Sequence, residues 1–207
     1  MVEVVSTIMA TATSAAPTGA KSSMFDFRSW GRCIVLAAGW ALTLFLLPKL
    51  NLPDDIESFF TVLLMSMWAF AALAWITMPR AATVTGVLMG VAATLFGIAF
   101  EGKPFTPGGM AIAAITTGIV GAAADYQYAR HANKLTIRMF FWTALTAQFA
   151  LALWSVALGW INATERDFMK MLAAFVTGLF TGLHERVGAY LLSYFVLKFF
   201  WRKPFTD

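Results

Sequence analysis

Six long apolar runs, separated by short polar connections, constrain this chain more than any other feature of its sequence. In a bilayer, about 20 apolar residues in a helix cross the roughly 30 Å of hydrocarbon. Lipid supplies no hydrogen-bond partners, so each crossing segment must satisfy its own backbone. The sequence therefore predicts an all-α polytopic transmembrane bundle of about six spans, at 31–49, 59–78, 81–100, 108–125, 139–161 and 169–201.

Composition agrees with a lipid environment. Of the 207 residues, 59% are hydrophobic and 13% are charged, against about 25% charged in an average soluble domain. A domain this small cannot bury so much apolar surface within itself, so the lipid bilayer is the expected partner. The net charge of +4 comes from basic residues between the apolar runs, which does not indicate a nucleic-acid partner. One cysteine and two histidines predict no metal site, disulfide or cofactor.

The distribution of Lys and Arg predicts the orientation. Cytoplasmic loops are enriched in these residues, and an inside N-terminus with six crossings divides them ten to four. Both termini are then cytoplasmic. Residues 1–28 are predicted to form a disordered or interfacial tail, and 204–207 a short C-terminal tail. The opening residues do not resemble a cleavable signal peptide, which favours a bacterial inner membrane. The inner set is Lys21, Arg28, Arg32, Arg80, Arg130, Lys134, Arg138, Lys198, Arg202 and Lys203, and the outer set is Lys49, Lys103, Arg166 and Lys170.

The last run is too long for one upright helix, since residues 169–201 would extend about 50 Å at 1.5 Å per residue. A re-entrant hairpin would move the basic C-terminal residues outside and remove the charge bias. We therefore expect one crossing, either tilted or broken near Gly182 or Gly188.

A charged group, His184, Glu185 and Arg186, interrupts this last run. An ionised residue at the bilayer centre costs at least about 2.5–3.5 kcal/mol, so such residues often mark a functional pathway. Glu185 and Arg186 point about 100° apart on a helix, so each needs a separate partner on another helix. Asp125 and Glu101 are the acidic candidates. Two plain alternatives are a helix kink at the interface with Arg186 reaching the headgroups, and a buried structural ion pair.

Small residues spaced four apart predict close helix packing. Gly86 and Gly90 form such a pair on the third span, Gly118 lies between alanines on the fourth, and Gly178 and Gly182 follow on the last. We expect these three spans to form the inner part of the bundle. The first, second and fifth spans carry more Leu, Phe and Trp and are expected to face lipid.

Two function classes remain. The leading one is a small permease for a polar or charged solute or ion, with His184, Glu185 and Arg186 binding the solute or relaying protons, and Asp125 and Glu101 at the two mouths. The alternative is a non-catalytic anchor, assembly or scaffold subunit, packed against copies of itself or other membrane subunits. A catalytic role is disfavoured, because no nucleophile–base pair occurs at a recognisable spacing.

Overall fold

A computed structural model describes residues 27–161, 167–201 and 205, and its regular structure is helical. The all-α prediction is confirmed. Five of the helices, α1 with its 3-10 extension through α5, are long and apolar enough to cross a membrane, which defines an integral membrane protein. The helices are α1 Phe27–Leu46, a 3-10 helix Leu47–Leu50, α2 Asp54–Trp75, α3 Ala81–Glu101, α4 Pro107–Arg130, α5 Ile137–Ile161, α6 Phe168–Phe180 and α7 Leu183–Phe200.

The last apolar run forms two helices rather than one. Thr181 is extended and Gly182 is left-handed with φ +74°, so α6 ends there and α7 begins. Both half-helices pack along α5: Gly178 lies beside Ala152, and further along the chain the ring of Tyr194 contacts Phe140. From the first of these contacts to the second, residue numbers rise along the last run as they fall along α5. This order is the one expected of a single crossing that is broken at Gly182.

The bundle has two groups of helices. On one side α3 packs against α4 and α1, and on the other α7 packs against α2 and α5. An aromatic cluster fills the second group, where Phe70 of α2 stacks on Phe140 of α5 with ring centroids 3.7 Å apart. Tyr190 and Tyr194 of α7 meet these rings edge-on. The helix α2 joins the two groups, because it contacts α1, α3, α4 and α7.

This arrangement corrects the predicted inner part. The close approach of α3 and α4 is present, but α7 makes no packing contact with either of them in the described part of the chain. The expectation that the second span faces lipid is wrong as well, since Phe70 and Ala72 of α2 are fully buried. The sequence pattern identified small residues correctly, but it carried no information on which helices are neighbours.

Glycine contacts explain the tight α3–α4 pair. A Cβ on Gly86 would lie 2.5 Å from the carbonyl oxygen of Thr117, and one on Gly90 would overlap the backbone of Ala113. The hydroxyl of Thr117 donates to the Gly86 carbonyl at 2.5 Å, so a hydrogen bond joins the helices at the same point. Gly121 on α4 similarly contacts the backbone of Ala82. The contact at Gly118 is looser, because a Cβ there would lie 3.0 Å from the side chain of Val87.

Helix ends differ from the expected spans in several places. The helix α2 begins at Asp54 instead of residue 59, with Asp54, Asp55 and Glu57 in its first turn, where acidic side chains interact favourably with the helix dipole. The helix α4 continues to Arg130. Phe205, expected in a free C-terminal tail, is buried beside Leu135 and the ring of Tyr194. The predicted N-terminal tail lies outside the described residues up to residue 26.

Candidate functional site at the break in the last crossing

Gln148 on α5 satisfies the backbone at the helix break. Its Nε2 donates to the carbonyl oxygens of Gly178 at 2.6 Å and Thr181 at 3.1 Å. The last carbonyls of a helix have no partner within the helix, and in lipid no water replaces it. One buried amide on a neighbouring helix therefore makes the interruption of α6 tolerable inside the membrane.

The other end of the same amide binds Arg186. The Nε of Arg186 donates to Oε1 of Gln148 at 2.6 Å. Gln148 is the twelfth of the 25 residues of α5, so the guanidinium lies at mid-length of a membrane-spanning helix. The interfacial alternative, in which Arg186 reaches the lipid headgroups, disagrees with this position.

Two polar atoms beside this contact are buried and unpaired. The Nη1 of Arg186 and the hydroxyl of Tyr190 find no hydrogen-bond partner among the residues that the structure describes. Tyr190 is fully buried, one turn after Arg186 on α7. Helical side chains lean toward the helix N-terminus, so its hydroxyl reaches toward Arg186. The two groups interact electrostatically, but not with hydrogen-bond geometry.

Glu185 and His184 point elsewhere. Glu185 accepts a long hydrogen bond, 3.4 Å, from Ser58 in the second turn of α2. His184 is exposed on the surface of the bundle. Glu185 and Arg186 thus have partners on different helices, as expected, but neither partner is an acid or a base. Between residues that the structure describes, an ion pair is seen only for Lys103 and Glu101. Glu185 and Arg186 therefore do not take part in the buried structural ion pair that was considered as an alternative.

Asp125 lies far from this group and caps a different helix. Its carboxylate accepts hydrogen bonds from the backbone N–H of Ala82 at 3.3 Å and of Thr83 at 2.7 Å, and from the Thr83 hydroxyl at 2.5 Å. These N–H groups belong to the first turn of α3, where no side chain of α3 itself caps the helix. A carboxylate there satisfies unpaired donors and complements the helix dipole.

Asp125 also lines a cleft with a volume of about 920 Å³. The cleft lies between the α2–α3 turn and the end of α4, with Arg80, Tyr126 and Asn133 at its polar positions. This is the end of the bundle that the basic residues are expected to place in the cytoplasm. Asp125 is therefore at a mouth of the bundle, but its carboxylate is already engaged by α3.

Glu101 is at the opposite end of the bundle and is paired with Lys103 at 2.5 Å in the α3–α4 connection. Both side chains are exposed or half-exposed, and pairs of this kind contribute about 0–1 kcal/mol. They line a second cleft of about 490 Å³ with Thr94 and Thr106. The structure does not bring Glu101 or Asp125 to Arg186.

Gln148 and Tyr190 are the site residues that the sequence analysis missed. The detectable signal was one amide in the middle of an apolar span, where a polar side chain requires a partner. Gly178 and Gly182 take other roles than close packing. A Cβ at Gly178 would meet Ala152 and Ser155 only at 3.9–4.0 Å, and Gly182 supplies the left-handed turn of the break.

The chain is a polytopic helical membrane protein, and the site lies where the helical structure of its last apolar run is interrupted. No protein-family model, curated protein or solved structure gives a significant match to this chain. Function is therefore argued from the site itself.

Proposed function

We propose that this chain is a small transport protein of a bacterial inner membrane, and that its solute binds at the break between α6 and α7. The observation that carries the proposal is the half-buried Arg186 at the break between α6 and α7, whose guanidinium is bound to an amide instead of a carboxylate. The solute is a polar or charged molecule or ion.

Discontinuous helices support this proposal because of their electrostatics. Where a helix stops inside the membrane, its free carbonyls form a negative end, and the N–H groups of the next half-helix form a positive end. Many transporters place their substrate sites at such breaks. Here the carbonyls of Gly178 and Thr181 are bound by Gln148, whereas no side chain caps the first turn of α7. Glu185 stands in this first turn, with its Oε2 3.9 Å from the position a Cβ on Gly182 would take, so it partly offsets the positive end of α7, and Arg186 remains for a solute.

The energetic cost of the site is the second argument. A guanidinium within a membrane span is expensive, and a Leu or Met at residue 186 would avoid this cost. The Gln148 bond satisfies one of five donors, and Nη1 is buried without a partner. A structural role would be served better by a carboxylate. The incomplete satisfaction of Arg186 is what a binding site looks like in the absence of its solute.

The alternative function is a non-catalytic subunit of a larger membrane complex. The observation in its favour is that none of the thirteen residues of α6 is buried. This helix packs on α5 and α7 and leaves the rest of its apolar surface open, where a partner helix could bind as well as lipid. In that case a group of the partner chain would complete the environment of Arg186.

Uptake into proteoliposomes tests the proposal. The purified full chain is reconstituted, and uptake of labelled acetate, inorganic phosphate, alanine, glucose and rubidium is compared with empty liposomes. We expect at least one solute to enter faster, and we expect Arg186→Gln to reduce its rate at least tenfold. Arg138→Gln is the matched control, because Arg138 is exposed at the start of α5 and distant from the break.

Two results contradict the proposal. If Arg186→Gln transports as fast as the original chain, the break is not the solute site. If the folded chain moves none of these solute classes, the subunit function is favoured. Isolation of the chain from its own membrane with stoichiometric partner polypeptides then follows as the test of that alternative.

A further inference from the structure

We propose that the solute is a small organic monoanion with a carboxylate group, held by Arg186 and Tyr190 at the start of α7. This inference rests on the proposed transport site but is more specific, since it assigns the chemical class of the solute. Binding can be measured without transport, so the two proposals can fail separately.

The charge of Arg186 favours an anion at the break. The guanidinium is permanently ionised, and its Nη1 is buried without a hydrogen-bond partner among the described residues, which is unfavourable. Glu185, the nearest acid in sequence, points to Ser58 on α2 and makes no ion pair with Arg186. Asp125 is held by the first turn of α3, and Glu101 by Lys103. Among the described residues, no carboxylate is therefore available to neutralise Arg186.

The unpaired donors match a carboxylate in number. Nη1 of Arg186 and the hydroxyl of Tyr190 are both buried, unpaired and close to each other. Two donors from neighbouring groups can each bind one oxygen of a carboxylate, and charge-assisted hydrogen bonds are about twice as strong as neutral ones. The first N–H groups of α7 carry a positive partial charge, which Glu185 in the same turn partly offsets.

The surroundings favour one negative charge and a small apolar body. Arg186 supplies one full positive charge, and the nearby Glu185 opposes a second negative charge on the solute. Aromatic rings border the site, with Phe70 edge-on against Tyr190 at 5.5 Å and Phe59 lying 3.7 Å from the position a Cβ on Gly188 would take. A dianion such as hydrogen phosphate would be poorly compensated here, whereas a short monocarboxylate matches the single charge of Arg186 and the apolar surroundings.

Thermal unfolding of the purified full chain, with acetate, acetamide or inorganic phosphate added, tests the inference. Acetate and acetamide have the same shape and differ in charge, and the sulfonate buffer HEPES keeps the ionic strength constant. A ligand that binds only the folded state raises the unfolding temperature in a saturable way. We expect this rise with acetate and not with acetamide, and a weaker effect with phosphate.

Variants connect the effect to the site. Tyr190→Phe retains the ring that packs on Phe70 and removes one hydrogen bond, so the acetate concentration for half the effect should rise about fivefold. Arg186→Gln should raise it more than tenfold, and Arg138→Gln should leave it unchanged.

Each outcome decides a separate point. Equal effects of acetate and acetamide, or an acetate effect that survives Arg186→Gln, overturn the anion site. A larger effect of phosphate than of acetate overturns the monoanion class. Specific acetate binding without acetate uptake in proteoliposomes would retain the anion site and contradict transport. Uptake of a neutral or cationic solute without an acetate effect would retain transport and contradict the anion class.

Discussion

Replacing Gly86 by alanine should destabilise the bundle, because the added Cβ has no space between α3 and α4. It would lie 2.5 Å from the carbonyl oxygen of Thr117 and 3.1 Å from its carbonyl carbon, and both are backbone atoms. A carbon–oxygen contact is usually about 3.3 Å or longer, so the helices would have to separate by roughly 0.8 Å. Separation also weakens the hydrogen bond from the Thr117 hydroxyl to the Gly86 carbonyl.

The magnitude follows from three contributions. Overpacking costs about 1–3 kcal/mol, and loss of an interhelical hydrogen bond in a membrane costs about 0.6 kcal/mol on average. Alanine is the better helix former by about 1 kcal/mol, which offsets part of this loss. The free energy of unfolding should therefore fall by about 0.5–2.5 kcal/mol. Titration of the purified chain in mixed micelles with sodium dodecyl sulfate, followed by circular dichroism, measures it.

Gly31→Ala is the matched control for this substitution. Gly31 lies within α1, and a Cβ there would meet nothing within 4 Å, so the same change should be neutral or stabilise by up to about 1 kcal/mol. The reasoning is refuted if the two variants unfold at the same detergent fraction, since the backbone contact at Gly86 would then carry no energy.

The same unfolding titration checks three further variants. Asp125→Ala should lower the free energy of unfolding by about 0.5–2 kcal/mol, because the first turn of α3 loses its cap. Thr83→Val, made in the Asp125→Ala background, should lower it little further, because the Thr83 hydroxyl has already lost its acceptor. Gly182→Ala should lower it by roughly 1–2 kcal/mol, because a left-handed conformation is unfavourable for residues with a Cβ. Arg80→Gly should raise the free energy of unfolding by up to about 1 kcal/mol, because Arg80 has φ +57° and glycine adopts this conformation without strain. A decrease would show that the Arg80 side chain stabilises the α2–α3 turn.

The class of fold was predictable because lipid imposes one physical requirement on every span. Long apolar runs must be helical in a bilayer, and this requirement does not depend on which helices are neighbours. The helix ends were less predictable. A count of hydrophobic residues assigns the acidic residues after Pro53 to a loop. In the structure they belong to the first turn of α2, which they stabilise through the helix dipole.

A break near Gly182 was one of three expected alternatives, beside a break near Gly188 and one tilted helix, because a glycine within an overlong run is a natural place for a left-handed residue. The site around it was found only in part. Arg186 stood out by its charge, whereas Gln148 binds the backbone of residues 30 and 33 positions away, a contact that leaves no periodic pattern. Sequence spacing likewise could not distinguish Gly86, which meets a backbone, from Gly178, which has ordinary contacts.

Native mass spectrometry of the chain, extracted gently from its own membrane, tests the central claim most directly. The account predicts a single chain or a homo-oligomer that carries a small bound anion, and it predicts that Arg186→Gln loses this adduct while Arg138→Gln retains it. A chain that carries no small molecule and is held in a stable complex with other polypeptides would contradict the account. The exposed face of α6 would then be the surface to examine for the partner.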